Sequence, residues 1–434
     1  MLFCILLIML TVILFSYSYD YYQKTKTYFN HVTLLSFGFF LYLIMPMIVA
    51  ELGVVEHNLL FSTFNYLFSQ ITLYNKLLYF IFISLVYMFF MLGTNRYRLK
   101  HKVPNKKRNI NEKSVTKEIK KINMKIFNIL MLLIAAVALI YIAKNSSSFF
   151  TGYDYGINRG TLAAIVLVVF SLAMFYDLIT WYKTKDIKKT FLNVVTIMFV
   201  ILSILLLSVG TRMYFMSCII TLMILMECFF KFKGKYILWF LAVVVGFVAF
   251  IALIRSGYLI TISSGFFTLL MEFLYTFISS LKFLELGIFK LISVPIFLIS
   301  NLINLIPTFI CPDKLSYLLN PADFGFVIYS PMGALSIYVD LMINFGLIGS
   351  MVAIYYFSYG LEFLSNQKDS LLYIVIYPLI CGFLGFSLFR DSFTTSIIKN
   401  ILEFSIIIPV FYYYIIQVGG KNEKSFSNKR HKKR

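Results

Sequence analysis

Apolar runs of about 20 residues recur along the chain between short polar or basic loops, and one long half-polar stretch breaks the series between Arg255 and about Asn344. Windows of that length place eleven crossings, near 1–17, 32–50, 77–94, 126–143, 161–181, 191–209, 213–230, 236–254, 343–361, 371–389 and 397–416. In hydrocarbon each such segment must satisfy its own backbone groups, which long runs do as helices and not as the short alternating strands of a barrel. The expected fold is therefore all-α, a polytopic membrane protein. Its expected divisions are a membrane domain of helices 1–8 (1–254), a large external loop with amphipathic helices (255–342), helices 9–11 (343–416) and a basic tail (417–434). The first run starts at Met1 without a basic leader or a small-residue cleavage pattern, so it reads as a retained helix.

Composition agrees with that pattern, at 60% hydrophobic and 13% charged residues with a mean hydropathy of +0.85. The net charge of +20 orients the chain, because short basic loops stay cytoplasmic. The segment 94–125 carries twelve Lys and Arg against Glu112 and Glu118, and the other basic loops alternate with it, which puts the N-terminus outside and the C-terminus inside. Of the 39 basic residues, 29 then lie inside and 10 outside. The charge reports topology and gives no reason to expect nucleic acid as a partner. Membrane lipids are the general partner of such basic loops.

Cys4, Cys218, Cys228 and Cys381 fall in apolar runs and only Cys311 in the external loop, so no disulfide framework is expected. His31, His57, His101 and His431 look scattered, and no CxxC, HExxH, calcium-loop or Walker pattern occurs. Neither a metal nor a cofactor is expected.

The external face holds the candidate chemistry. Four of the ten external basic residues are arginine, namely Arg159, Arg212, Arg255 and Arg390. A guanidinium matches phosphate bidentately, and three of these sit at helix ends, at the level of a lipid diphosphate. Arg212 occupies a tight turn after Gly210, against the positive-inside tendency. Residues 266–285 are expected to form an interfacial amphipathic helix with Glu272, Thr276, Ser279, Ser280 and Lys282 along its polar face. The run 287–310, broken by Lys290, Pro295, Asn301, Asn304 and Pro307, reads as lying on the membrane or re-entrant. Asp340 stands within an apolar helix entrance, where a cationic partner or a functional role is expected of an acid.

The stretch 306–364, with Asp340 ahead of Asn344-Phe345-Gly346 and Gly349, resembles the late external-loop-to-helix segment of the Wzy-type oligosaccharide repeat unit (O-antigen) polymerases. Val209 to Arg212 (VGTR), Ile254 to Gly257 (IRSG) and Phe389 to Phe393 (FRDSF) are similar in order and spacing. Aspartate at 340 in place of glutamate is a departure from that family.

The resemblance implies a multi-pass glycosyltransferase of the bacterial cytoplasmic membrane, with its active site on the outer face. It would transfer a growing glycan from undecaprenyl diphosphate to the non-reducing end of the next lipid-linked unit, in lipopolysaccharide or capsule synthesis. Its implied partners are undecaprenyl-diphosphate-linked oligosaccharides, with a chain-length regulator and a flippase of the same pathway. In that reading Arg212, Arg255 and Arg390 bind diphosphate, Arg159 assists at a second lipid, and Asp340 or Glu272 orients or deprotonates the acceptor hydroxyl, with Arg212 also stabilising charge. The alternatives are a flippase for the same lipid-linked oligosaccharides, or an O-antigen ligase.

Overall fold

The computed structural model describes residues 2–53, 62–104, 110–146, 149, 159–209, 212–228, 235–237, 239–244, 246, 262–287, 290–306, 310–326, 328 and 335–417. Among them there is no strand. The main helices are α1 (Leu2–Thr25), α2 (His31–Glu51), α3 (Ser62–Ser69), α4 (Leu73–Lys100), α5 (Glu112–Ile119), α6 (Met124–Lys144) and α7 (Arg159–Thr184). They continue as α8 (Val194–Ser208), α9 (Arg212–Cys228), α10 (Ile262–Glu285), α11 (Ile337–Asn366), α12 (Leu371–Leu384) and α13 (Thr394–Gln417). Asparagine and threonine start several of them: the side chains of Asn30, Thr72 and Asn193 accept hydrogen bonds from Thr33, Asn75 and Thr196 N–H.

Seven of these helices, α1, α2, α4, α6, α7, α11 and α13, are long and apolar enough to cross a membrane. The runs 191–209, 213–230 and 371–389 carry shorter helices, of 15, 17 and 14 residues, the second described only as far as Cys228. Most of 236–254 lies outside the described residues. Among its described residues the run 287–310 holds no helix long enough to cross a membrane. It holds a turn of helix at Ile296–Ser300, started after Pro295, and a 3₁₀ turn at Asn301–Leu305.

Contacts group the chain into two units that cut across the sequential divisions at 254 and 342. One contains 1–107, 260–366 and 383–400, the other 108–259, 367–382 and 401–434. In the first unit, Phe3 meets Phe80 and Tyr17 meets Asn95, so α1 and α4 run parallel. Tyr79 meets Tyr338, and Arg98 meets Glu362 near the far ends of α4 and α11, so these two are parallel as well. The approach is close: a Cβ at Gly93 would strike Tyr355 O and Ser358 Oγ. Lipid tails are as apolar as leucine, so backbone proximity at small residues does much of the holding between such helices.

The helix expected at 266–285 is present as α10 but is not interfacial in its second half. From Leu274 to Leu284, apart from half-buried Lys282, it is buried on every side, including the hydroxyl face of Thr276, Ser279 and Ser280. Phe277 packs on Phe68 and Tyr79, and Ser279 Oγ accepts the Ser336 N–H at 2.9 Å. The hydroxyls of Thr276, Ser279 and Ser280 therefore face protein and not water.

The second unit ties its turns with buried and half-buried polar groups. Asp177 Oδ1 accepts from Asn193 Nδ2 at 2.7 Å and Thr196 Oγ1 at 3.0 Å, fixing the start of α8 against α7. Glu118 Oε2 accepts from Leu371 N at 2.8 Å and so caps α12, where the helix leaves its first N–H groups without internal acceptors.

Candidate functional site

The NFG element is a break inside α11. Gly346 has φ 69° and ψ −173°, a conformation essentially confined to glycine, and a Cβ there would lie 2.7 Å from Lys290 O. The break frees backbone groups, and the segment 290–294 takes them up in ladder fashion: Ser293 N donates to Phe345 O, Leu347 N to Lys290 O and Ile348 N to Leu291 O. Asn344 joins the same seam, its Oδ1 accepting from Leu298 N at 2.9 Å and its Nδ2 donating to Asp340 O at 3.0 Å. Ser350 Oγ bridges the two halves by contacting Leu341 O and Gly346 O. The piece 337–345 is thus a short helix held ahead of the longer apolar helix 347–366.

Asp340 lies on that short helix. It is 7% exposed, and its Oδ2 accepts the Phe393 N–H at 2.7 Å. The expected cationic partner is replaced by a peptide N–H. Among the described residues no donor reaches Oδ1, so this nearly buried carboxylate keeps one oxygen available. The donor comes from the FRDSF turn, which is also bound through Arg390 O to Leu335 N at 3.1 Å. Phe345 and Phe393 pack edge to face with ring centroids 5.8 Å apart. Two sequence segments fifty residues apart are therefore one local structure.

Arg390 sits on this turn, half-buried, three residues before Phe393. Glu272 is placed on α10, two turns before Ser279, the residue that receives the Ser336 N–H. Arg159 opens α7 and Arg212, half-buried, opens α9; both belong to the second unit. Arg255 lies outside the described residues. Of the predicted set, the first unit thus holds Asp340, Arg390 and Glu272.

One cluster escaped sequence reading. His31, taken as scattered, is wholly buried, with Nε2 3.4 Å from Glu362 Oε2, while Arg98 reaches Glu362 Oε1 at 3.1 Å and Tyr21 O–H donates to Oε2 at 2.7 Å. Asn366 Nδ2 adds a contact at 3.1 Å. The signal was slight: an acid in the last two turns of an apolar helix, matched by one arginine among many basic residues. Asp340 lies on the short helix before the break at Gly346 and Glu362 in the last two turns of the longer helix after it, so the two acids belong to different ends of α11.

No protein-family model matches this chain, and neither a curated protein nor a solved structure matches it.

Proposed function

We propose that the protein is a polymerase of lipid-linked oligosaccharide repeat units, acting on the outer face of the bacterial cytoplasmic membrane. The observation that carries this reading is Asp340, an almost buried acid with one oxygen held by Phe393 N–H and the other without a donor among the described residues, on the turn-and-helix unit that also carries Arg390. The reaction needs this pairing of roles. The acceptor hydroxyl oxygen attacks the anomeric carbon of the donor glycan, and the bond from that carbon to the lipid diphosphate breaks. Asp340 Oδ1 takes the hydroxyl proton, and Arg390 meets the charge left on the diphosphate. Arg159, Arg212 and Arg255 are the further cations of the reading, and Glu272 is the second candidate acid.

The full topology belongs to the same proposal: eleven crossings, N-terminus outside. It is supported by the parallel packing of α4 with α11, which requires an odd number of crossings between them. The helices α6, α7, α8 and α9 with one crossing from 236–254 supply five, whereas an added crossing at 287–310 would set α11 antiparallel.

The test is to incubate the purified protein with defined undecaprenyl-diphosphate repeat units. A ladder of longer lipid-linked products is expected. Translocation of the units across a vesicle without elongation decides for the flippase, and transfer only to a different acceptor decides for the ligase.

A further inference from the structure

We propose that Ser387 and Asn400 are positioning residues that keep the Asp391 carboxylate away from the Phe393 N–H, so that this donor stays on Asp340; the inference rests on the reading of Asp340 as proton acceptor. Asn400 Nδ2 lies 2.7 Å from Ser387 Oγ, which lies 2.9 Å from Asp391 Oδ2. Asn400 and Ser387 are wholly buried. A carboxylate only accepts, and a serine hydroxyl has one hydrogen. Ser387 must therefore donate to Asp391 and accept from Asn400, which fixes the sense of the whole chain.

The consequence lies two residues further on. An aspartate side chain readily captures the backbone N–H of residue i+2, and for Asp391 that residue is Phe393. With Asp391 bound backwards to Ser387, the Phe393 N–H is left for Asp340 Oδ2 at 2.7 Å. The backbone of the turn has independent supports. Asp391 N donates to Ser387 O at 3.0 Å, Ser396 Oγ lies 2.7 Å from Ser387 O and 3.2 Å from Asp391 O, and Leu335 N holds Arg390 O. Loss of the Ser387 hydroxyl thus removes one restraint on the Asp391 carboxylate without removing the turn.

This predicts suppression at a second site. Ser387→Ala lowers the kcat of elongation roughly 10- to 100-fold, a part of the 10²–10⁴ that a placed general base supplies, and changes KM less than about threefold. Adding Asp391→Ala to that variant removes the competing carboxylate and restores kcat to within about fivefold of the wild type. Ser387→Cys, whose thiol is only a weak donor, alone and with Asp391→Ala, repeats the comparison should Ser387→Ala fail to accumulate in the membrane. A second readout needs no turnover: labelling of Asp340 by a membrane-soluble carbodiimide, read by mass spectrometry, is severalfold faster in Ser387→Ala, where the carboxyl is released, and returns to the wild-type rate in the double variant. Double variants no better than the single ones in either readout overturn the inference, as does a Ser387→Ala protein equal to wild type. A wild-type protein that elongates nothing defeats the polymerase reading alone, and the labelling series then still decides the positioning.

Discussion

Two residues concentrate the local physics. Gly346 holds a backbone conformation that costs a side-chain-bearing residue about 1–3 kcal/mol, before the clash of a Cβ with Lys290 O is counted. Gly346→Ala is therefore expected to lower the midpoint of thermal unfolding in detergent by several degrees, and unchanged melting would mean that the break tolerates a side chain. Gly349→Ala, where φ is ordinary and the nearest contact is Phe345 Cβ at 3.1 Å, should cost much less. Asp340 depends on this break for its place. Asn344 and Ser350, which bind its helix to the 290–298 seam and to the longer helix beyond, have their partners through the glycine's turn.

The buried cluster at the ends of α1, α2, α4 and α11 is the strongest feature at the scale of elements. Glu362 and His31 are wholly buried and Arg98 nearly so, with Tyr21 O–H and Asn366 Nδ2 satisfying further lone pairs of the carboxylate. Removing one partner leaves an uncompensated buried charge, at about 3–5 kcal/mol, whereas replacing both charges by apolar side chains of similar volume is far milder. Glu362→Leu should therefore lose most of the folded protein from the membrane, and Arg98→Met together with Glu362→Leu should recover it, measured by fluorescence-detected size exclusion. Two equally impaired variants would rule out charge compensation. Helix type and approximate position were legible from apolar run length alone for all seven long helices. The burial of α10 was not, because a hydroxyl stripe looks the same whether it faces water or, as Ser279 does, another backbone N–H. The cluster was hidden for a related reason: its members come from four helices, and nothing in one run marks its partner in another.

At the scale of the molecule, the basic segment 94–125 and the parallel packing of α4 and α11 together predict on which side each loop lies. In a cysteine-free background, Lys113→Cys should react with an impermeant maleimide only after the membrane is opened, and Lys314→Cys should react in intact cells. The reverse pattern would invert the proposed topology. The candidate site was half legible. Asp340, Arg390 and the NFG element stood out as a charge in an apolar run, an arginine on the wrong face and a glycine after two large residues. The pairing of Asp340 with Phe393 N–H was not readable, because a peptide donor leaves no trace in residue type. The claim on which the rest depends is that Oδ1 of Asp340 takes the acceptor proton. Its most direct measurement is the elongation rate of Asp340→Asn, an isosteric change that can still accept the Phe393 N–H, on defined lipid-linked units. The account predicts a loss of roughly 10²–10⁴-fold with the protein folded and substrate still bound; elongation within a few fold of the wild-type rate would contradict it.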